Sequence, residues 1–206
     1  MAWTNDEMAK EVINLFAPQS SVNLGIGLPT LVAQYIPSEL EIMIHSENGV
    51  LGVKGRPNKD KVSPTLINAG KETISIKSGA SFFDSSLSFG MIRGGHIDYC
   101  VLGGMEVDTE GSLANWMIPG KKVTGMGGAM DLVNGSRCVI VMMSHFSKSG
   151  SSKLLPICSL PLTGVSVVDI VVTDYGIFKP IEGKFEIIKL AKDIKKEDLK
   201  DLEIYK

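Results

Sequence analysis

Short apolar runs with little alternation recur along this chain: Ile42-Met43-Ile44, Tyr99-Cys100-Val101-Leu102, Cys138-Val139-Ile140-Val141-Met142-Met143 and Val167-Val168-Asp169-Ile170-Val171-Val172-Thr173. A strand with one wet face alternates apolar and polar residues, whereas a strand apolar throughout is covered on both faces. Helical patterns and glycine turns such as Gly94-Gly95 and Gly103-Gly104 separate the runs. Buried strands interleaved with helices predict an α/β fold: a layered open sheet, largely parallel, with helices on both faces. The C-terminal part reads as more antiparallel. Phe178-Lys179 and Phe185-Glu186-Ile187-Ile188 flank Pro180-Ile181-Glu182-Gly183 as a hairpin, and the charged tail from Lys192 to Lys206 is expected to form a helix beginning at Asp193. Residues 1–206 are read as a single domain.

The same runs fall short of the roughly 20 residues needed to span a bilayer, so no membrane partner is expected. A formal net charge of -2 without a Lys/Arg stripe argues against nucleic acid, whose phosphates demand clustered cations. Met1-Ala2-Trp3-Thr4-Asn5-Asp6-Glu7 is acidic and polar, unlike a secretory signal, and the cytoplasm is the expected compartment. Cys100, Cys138 and Cys158 are odd in number and widely spaced, which suits small packed side chains in a reducing compartment. His45, His96 and His145 have no ligand spacing, so no metal site is expected.

At the N-terminus, Asn5 or Asp6 is placed to cap a helix carrying Met8, Val12, Ile13, Leu15 and Phe16. Val22-Asn23-Leu24 reads as the first strand, followed by Gly25-Ile26-Gly27-Leu28-Pro29-Thr30 and a helix through Leu31, Val32 and Tyr35. That glycine turn serves equally as a cradle for an anion or as a tight structural turn. The next run ends at His45-Ser46-Glu47-Asn48-Gly49, where turn residues aim side chains toward the sheet edge at which α/β ligands bind. Glu47 is a reactive carboxylate there, or else a solvated loop acid or a helix cap.

Further on, the polar stretch Gly55-Arg56-Pro57-Asn58-Lys59-Asp60-Lys61 is an exposed loop, inert or closing over substrate. Glu72 to Lys77 reads as a strand, Ser85 to Arg93 as a helix, and Met105-Glu106-Val107-Asp108 and Asn115-Trp116-Met117-Ile118-Pro119-Gly120 as loops. Arg93 reads as a helix-end cation satisfying terminal carbonyls, with ligand binding as its alternative. Gly125-Met126-Gly127-Gly128-Ala129-Met130-Asp131 exposes backbone N–H groups suited to an oxyanion, unless it is only a turn.

With these residues in view, the chain resembles the B (beta) subunit of family I coenzyme A transferases, the 3-oxoacid or acetoacetate type. The resemblance runs through Val22-Asn23-Leu24-Gly25-Ile26-Gly27-Leu28-Pro29-Thr30, Ser46-Glu47-Asn48-Gly49, Ile67-Asn68-Ala69-Gly70-Lys71-Glu72, Met91-Ile92-Arg93-Gly94-Gly95-His96, Ala114-Asn115-Trp116-Met117-Ile118-Pro119-Gly120-Lys121, Gly125 to Leu132 and Leu160-Pro161-Leu162-Thr163-Gly164. It implies a fold of the kind shared with sugar-phosphate isomerases, and Glu47 as the nucleophile that passes through a mixed anhydride to a glutamyl-CoA thioester. A glutamate carboxylate is ionised at neutral pH and needs no base to attack. The resemblance further implies an oxyanion site and acyl-CoA contacts from Gly127, Gly128 and Ala129, with Asn48 and Gly27 as substrate-binding candidates.

No resident cofactor is implied, coenzyme A being a substrate. The implied activity moves CoA between a short-chain 3-oxoacid such as acetoacetate and a donor such as succinyl-CoA, acetyl-CoA or butyryl-CoA. The resemblance also implies a partner, a homologous A (alpha) subunit in an A2B2 heterotetramer that completes the site; few basic residues stand near the motifs apart from Arg56, Lys59 and Lys61 in the variable loop, which is consistent with that. An acyl-CoA hydrolase on the same scaffold and a non-catalytic sugar-phosphate regulator are the alternatives. The chain departs from the family pattern at His45, where Gln is common; at Val53-Lys54-Gly55-Arg56-Pro57, in place of a Gly-x-Gly-Pro loop; and at Ser144, where an acid usually precedes the histidine.

Overall fold

In a computed structural model, residues 1–199 and 202 are described, and they are organised around a nine-stranded sheet. Its early strands are β1 (Ser21–Leu24), β2 (Met43–Ser46), β3 (Val50–Gly55), β4 (Ser75–Phe82) and β5 (Tyr99–Leu102). Short strands β6 (Glu106–Asp108), β7 (Leu113–Ala114), β8 (Met117–Ile118) and β9 (Lys122–Val123) follow, then β10 (Cys138–Met142), β11 (Leu154–Leu155), β12 (Ile170–Thr173), β13 (Gly176–Ile181) and β14 (Lys184–Leu190). The large sheet runs in the order β14-β13-β12-β10-β5-β1-β2-β3-β4, while β11-β6-β7 and β8-β9 form small separate sheets.

The centre, β12-β10-β5-β1-β2, is parallel throughout, and its side chains divide between two cores as a doubly covered sheet requires. Val101, Ile140, Met142 and Val172 join one core with α1 (Asn5–Ile13) and the 3₁₀ helix Leu28–Gln34. Cys100, Leu102, Val139, Val141 and Val171 face the other, with α2 (Ser85–Arg93) and α3 (Ala129–Gly135). The expected α/β architecture with helices on both faces is therefore observed. The hairpin β13-β14 supplies the expected antiparallel C-terminal part.

Antiparallel pairing also occupies the opposite edge, β2-β3-β4, where the sequence pattern gives no sign of it. The cause is the turn after β2: the amide of Gly49 bonds to the Ser46 carbonyl at 2.9 Å, and Gly49 adopts φ 110°, reversing the chain at once. Other expectations are corrected locally. The first helix is capped by Thr4, not Asn5 or Asp6, through a reciprocal box in which the Glu7 amide bonds to Thr4 Oγ1 at 3.2 Å and Glu7 Oε2 accepts the Thr4 amide at 2.7 Å. The segment after Gly27 is 3₁₀ rather than α, entered at Pro29 and stopped before Pro37. The strand expected from Glu72 begins only at Ser75, because residues 66–74 close on themselves: Asn68 N to Glu72 O at 2.9 Å, Ile74 N to Leu66 O at 3.0 Å. The 105–108 loop instead contains β6, paired in parallel with β11, and the 115–120 loop contains β8. In the tail, Asp193 sits at φ 72° and, among the described residues, the 3₁₀ turn Lys196–Asp198 forms in place of an α-helix; residues 200, 201 and 203–206 of the expected helix lie outside the described residues.

Among the described residues, no helix is long and apolar enough to cross a membrane.

Candidate active site

β2 ends at Ser46, and the turn that follows holds Glu47 half-buried at the C-terminal edge of the parallel strands. Its neighbours fix it from both sides. Ser46 Oγ accepts the amide of Ala69 at 3.0 Å, and Asn48 Nδ2 donates to the Ile67 carbonyl at 2.8 Å, so the 66–72 loop is tied to the turn. Asn48 thus spends its amide donor on the backbone, as a buttress of the site. Gly49 is irreplaceable on steric grounds, because a Cβ there would run into the Phe83 carbonyl oxygen.

The Glu47 carboxylate takes a hydrogen bond from Asn23 Nδ2 at 3.2 Å. Asn23 lies on β1, fully buried, and the strand register sets it directly beside His45. Asn23 Nδ2 also lies 3.0 Å from His45 Nδ1, and His45 Nε2 lies 3.0 Å from Ser88 Oγ on α2. Burial pushes the His45 imidazole down to about 4, so the ring is neutral at physiological pH. An amide NH₂ only donates, so Nδ1 must be the acceptor and Nε2 carries the proton toward Ser88. The Phe83 ring stacks on the imidazole at 6.0 Å between centroids and 14° between planes. The sequence alone singles out neither Asn23 nor Ser88, and marks His45 only as a departure. The available signal was a polar residue inside the otherwise apolar Val22-Asn23-Leu24 strand.

The glycine-rich segment reaches the same point beside Phe89 of α2. A Cβ on Gly128 would stand 3.3 Å from Glu47 Cγ and 3.3 Å from Phe89 Cζ, so the loop closes directly on the nucleophile candidate. Gly127 occupies φ 51° and is exposed, while Gly128 caps α3. Among the described residues the amides of Gly127 and Gly128 have no acceptor; the Ala129 amide is bonded to the Met126 carbonyl at 3.1 Å. Arg93 does not cover helix-end carbonyls: its Nε binds Asp131 Oδ1 at 2.7 Å, joining α2 to α3 behind the loop. Gly27 is exposed at φ 85°, and its carbonyl takes both the Thr30 amide (3.0 Å) and Thr30 Oγ1 (2.8 Å). It sits one loop outward from Glu47, for its neighbour Ile26 packs 3.3 Å from where a Gly70 Cβ would lie. Arg56 pairs with Glu72 at 3.3 Å beside a cavity lined by Ile44, Ser46 and Asn68, on the α1 side of β2; Lys59 and Lys61 are exposed.

Two buried histidines make a prediction about stability. His145 is also pushed down to about 4, chiefly by burial, with Thr173 Oγ1 3.1 Å from its Nδ1. Unfolded histidines protonate near pH 6.5 while these stay neutral, so the unfolded state gains protons first and stability falls as pH drops from about 6.5 toward about 4. The loss is on the order of 2–3 kcal/mol per histidine. Denaturant titrations across this window should show it, and a His45→Gln variant should lose less; a flat profile would contradict the buried neutral rings.

The sequence profile described as Coenzyme A transferase matches residues 6–194. A Bacillus subtilis protein, named as the B chain of a probable succinyl-CoA:3-ketoacid coenzyme A transferase, is 51% identical over 192 residues, covering 93% of this chain and 89% of that one. The beta chain of an acetate CoA-transferase of Escherichia coli is 49% identical over 184 residues, covering 89% and 84%. Among solved structures, an acyl-CoA transferase of Escherichia coli O157:H7 (YdiF), in a thioester complex with CoA, superposes with a TM-score of 0.75 at 18% identity. That match shows the fold; it covers 100% of this chain but 42% of the longer one.

Proposed function

This chain belongs to the coenzyme A transferase family, and on that premise we propose that it is the B (beta) subunit of an enzyme exchanging CoA between an acyl-CoA and a short-chain 3-oxoacid. The observation that carries the reading is the approach of Gly128 to Glu47, with the Gly127 and Gly128 amides unspent beside a half-buried carboxylate. An oxyanion formed on attack at a thioester needs such fixed donors, because the carboxylate nucleophile itself needs no proton removed.

In the proposed sequence a Glu47 oxygen attacks the thioester carbonyl, and CoA leaves as its thiolate, giving a mixed anhydride. The thiolate then attacks the glutamyl carbonyl, releasing the first carboxylate and leaving a glutamyl-CoA thioester. A second carboxylate attacks that thioester and expels the thiolate again. The thiolate finally takes the acyl group from the new anhydride, and free Glu47 is regenerated. Each step exchanges one acyl–oxygen or acyl–sulfur bond for another and consumes no water. Asn23 holds the carboxylate through its 3.2 Å bond, and Gly127 and Gly128 receive the oxyanion.

Acetoacetate as acceptor, with succinyl-CoA or acetyl-CoA as donor, is the substrate pairing we assign, following the ketoacid and acetate transferases named above. Those relatives are named as subunits, which supports a second chain as partner; an A2B2 assembly supplying the CoA-gripping surface is part of the proposal. Expressed alone, the chain should show only traces of transfer, and co-expression with the alpha subunit should restore it, with a mass in light scattering equal to two of each chain. The products decide between readings. CoA transfer to acetoacetate supports the transferase; steady hydrolysis without acceptor acid would establish the hydrolase; thermal stabilisation by sugar phosphates and not by acyl-CoA would favour a regulator.

A further inference from the structure

We propose that His45, held by Ser88, is a positioning residue for the transfer reaction: it fixes the orientation of the Asn23 amide so that Nδ2, and not Oδ1, faces Glu47. The inference rests on the assignment of Glu47 as nucleophile. Ser88 Oγ, His45 Nε2, His45 Nδ1, Asn23 Nδ2 and Glu47 Oε2 form an unbroken chain of contacts at 3.0, 3.0 and 3.2 Å, reaching from α2 through β2 and β1 to the reacting carboxylate. Asn23, His45 and Ser88 are all buried, at 0%, 1% and 0% exposure, so water does not compensate for a misplaced donor.

An asparagine amide has two orientations of nearly the same shape, and here they are not equivalent. As found, Nδ2 serves both His45 Nδ1 and Glu47 Oε2, while the buried Asn23 Oδ1 has no partner among the described residues. That orphaned oxygen works against this orientation, because an unsatisfied buried acceptor costs free energy. Something must outweigh it whenever the negative charge on Glu47 is lost to a thioester or anhydride, since the carboxylate then no longer holds the NH₂ as strongly. His45 does so: with its proton on Nε2 toward Ser88, Nδ1 is a permanent acceptor beside Asn23. The amide donor therefore stays aimed at the reacting carbon's oxygens through the cycle. If the proton moved to Nδ1, two donors would face each other and the amide would turn, setting Oδ1 against Glu47. Ser88 Oγ, 3.0 Å away, gives the Nε2 proton an acceptor, so this tautomer leaves no buried ring donor unpaired, and the stacked Phe83 ring limits rotation of the imidazole.

The glutamine side chain offers the same pair of functions, an acceptor oxygen and a donor NH₂, whereas leucine offers neither. This gives a test in the enzyme assembled with its partner subunit. The rate of CoA attachment to Glu47 is measured in a single turnover with acyl-CoA alone, together with kcat, KM and thermal midpoint. His45→Leu should slow attachment and kcat by about 10- to 100-fold, the scale of a sub-ångström misplacement, with KM for acyl-CoA changed by less than about twofold. Ser88→Ala should give a smaller loss of the same kind, and His45→Gln should recover at least about half of the wild-type rate. A folded His45→Leu enzyme that attaches CoA at the wild-type rate would overturn the proposal, as would a His45→Gln enzyme no faster than His45→Leu. Should His45→Leu fail to fold, Ser88→Ala decides: a wild-type attachment rate there overturns it. Absence of the adduct in the wild-type enzyme is a separate result, which would remove the nucleophile assignment and the positioning role with it.

Discussion

Replacing Glu47 by Gln is expected to lower kcat by roughly 10⁵-fold or more, the loss that follows removal of a covalent nucleophile acting with intact binding groups. The fold should hardly notice. Gln is nearly isosteric, its carbonyl oxygen can still accept from Asn23 Nδ2, and the volume facing Gly128 is unchanged, so the stability change should stay within about 1.5 kcal/mol. Steady-state kinetics and a thermal melt on the same preparation separate the two effects. A variant that melts far below the wild type while keeping residual turnover would mark Glu47 as a structural acid of the β2–β3 turn.

The second large effect is expected at Gly128. Its backbone sits at φ -81°, a conformation any residue adopts, so Gly128→Val introduces no backbone strain. The consequence is confined to space: a Cβ already comes to 3.3 Å from Glu47 Cγ and from Phe89 Cζ, and the valine methyls extend further into the volume where an acyl group must meet the carboxylate. Loss of oxyanion contact together with displacement of Glu47 should reduce kcat by about 100- to 1,000-fold while assembly with the partner chain is kept. Alanine should be milder than valine, since a lone Cβ at 3.3 Å requires its neighbours to yield by only a few tenths of an ångström. Near-normal kcat in the valine variant would mean that the loop is no more than a turn.

The features legible in the sequence are those carried by local pattern. Continuous apolar runs such as residues 138–143 announce strands covered on both faces, and the split of Val139 and Ile140 between two cores is that prediction realised. The turn at Glu47 was legible because an apolar run ends there in turn residues, and the loop at Gly127 and Gly128 because glycines cluster, while the roles expected of them came from the family resemblance. The contact between them was not, since it depends on α2 and α3 packing together on one face of the sheet, fixed partly by the Arg93–Asp131 pair. Nor was the Ser88–His45–Asn23 chain, whose members come from three elements and meet through strand register and helix placement. The antiparallel β2-β3-β4 edge escapes the pattern because a tight turn around Gly49 and a helical crossover leave similar apolar signals in the strands they join. Ala129 shows the limit of reading amides from sequence: a residue next to glycines is not a free donor when the Met126 carbonyl already takes its N–H.

Covalent attachment of CoA to Glu47 is the step on which the proposed function rests. Incubating the enzyme, assembled with its partner subunit, with acyl-CoA and no acceptor acid should accumulate the glutamyl thioester. Peptide mass spectrometry should find the CoA mass on the peptide containing Glu47 and lose it when acetoacetate is added. CoA mass absent from that peptide under conditions where transfer proceeds, or present on another residue, would contradict the assignment of Glu47 as nucleophile.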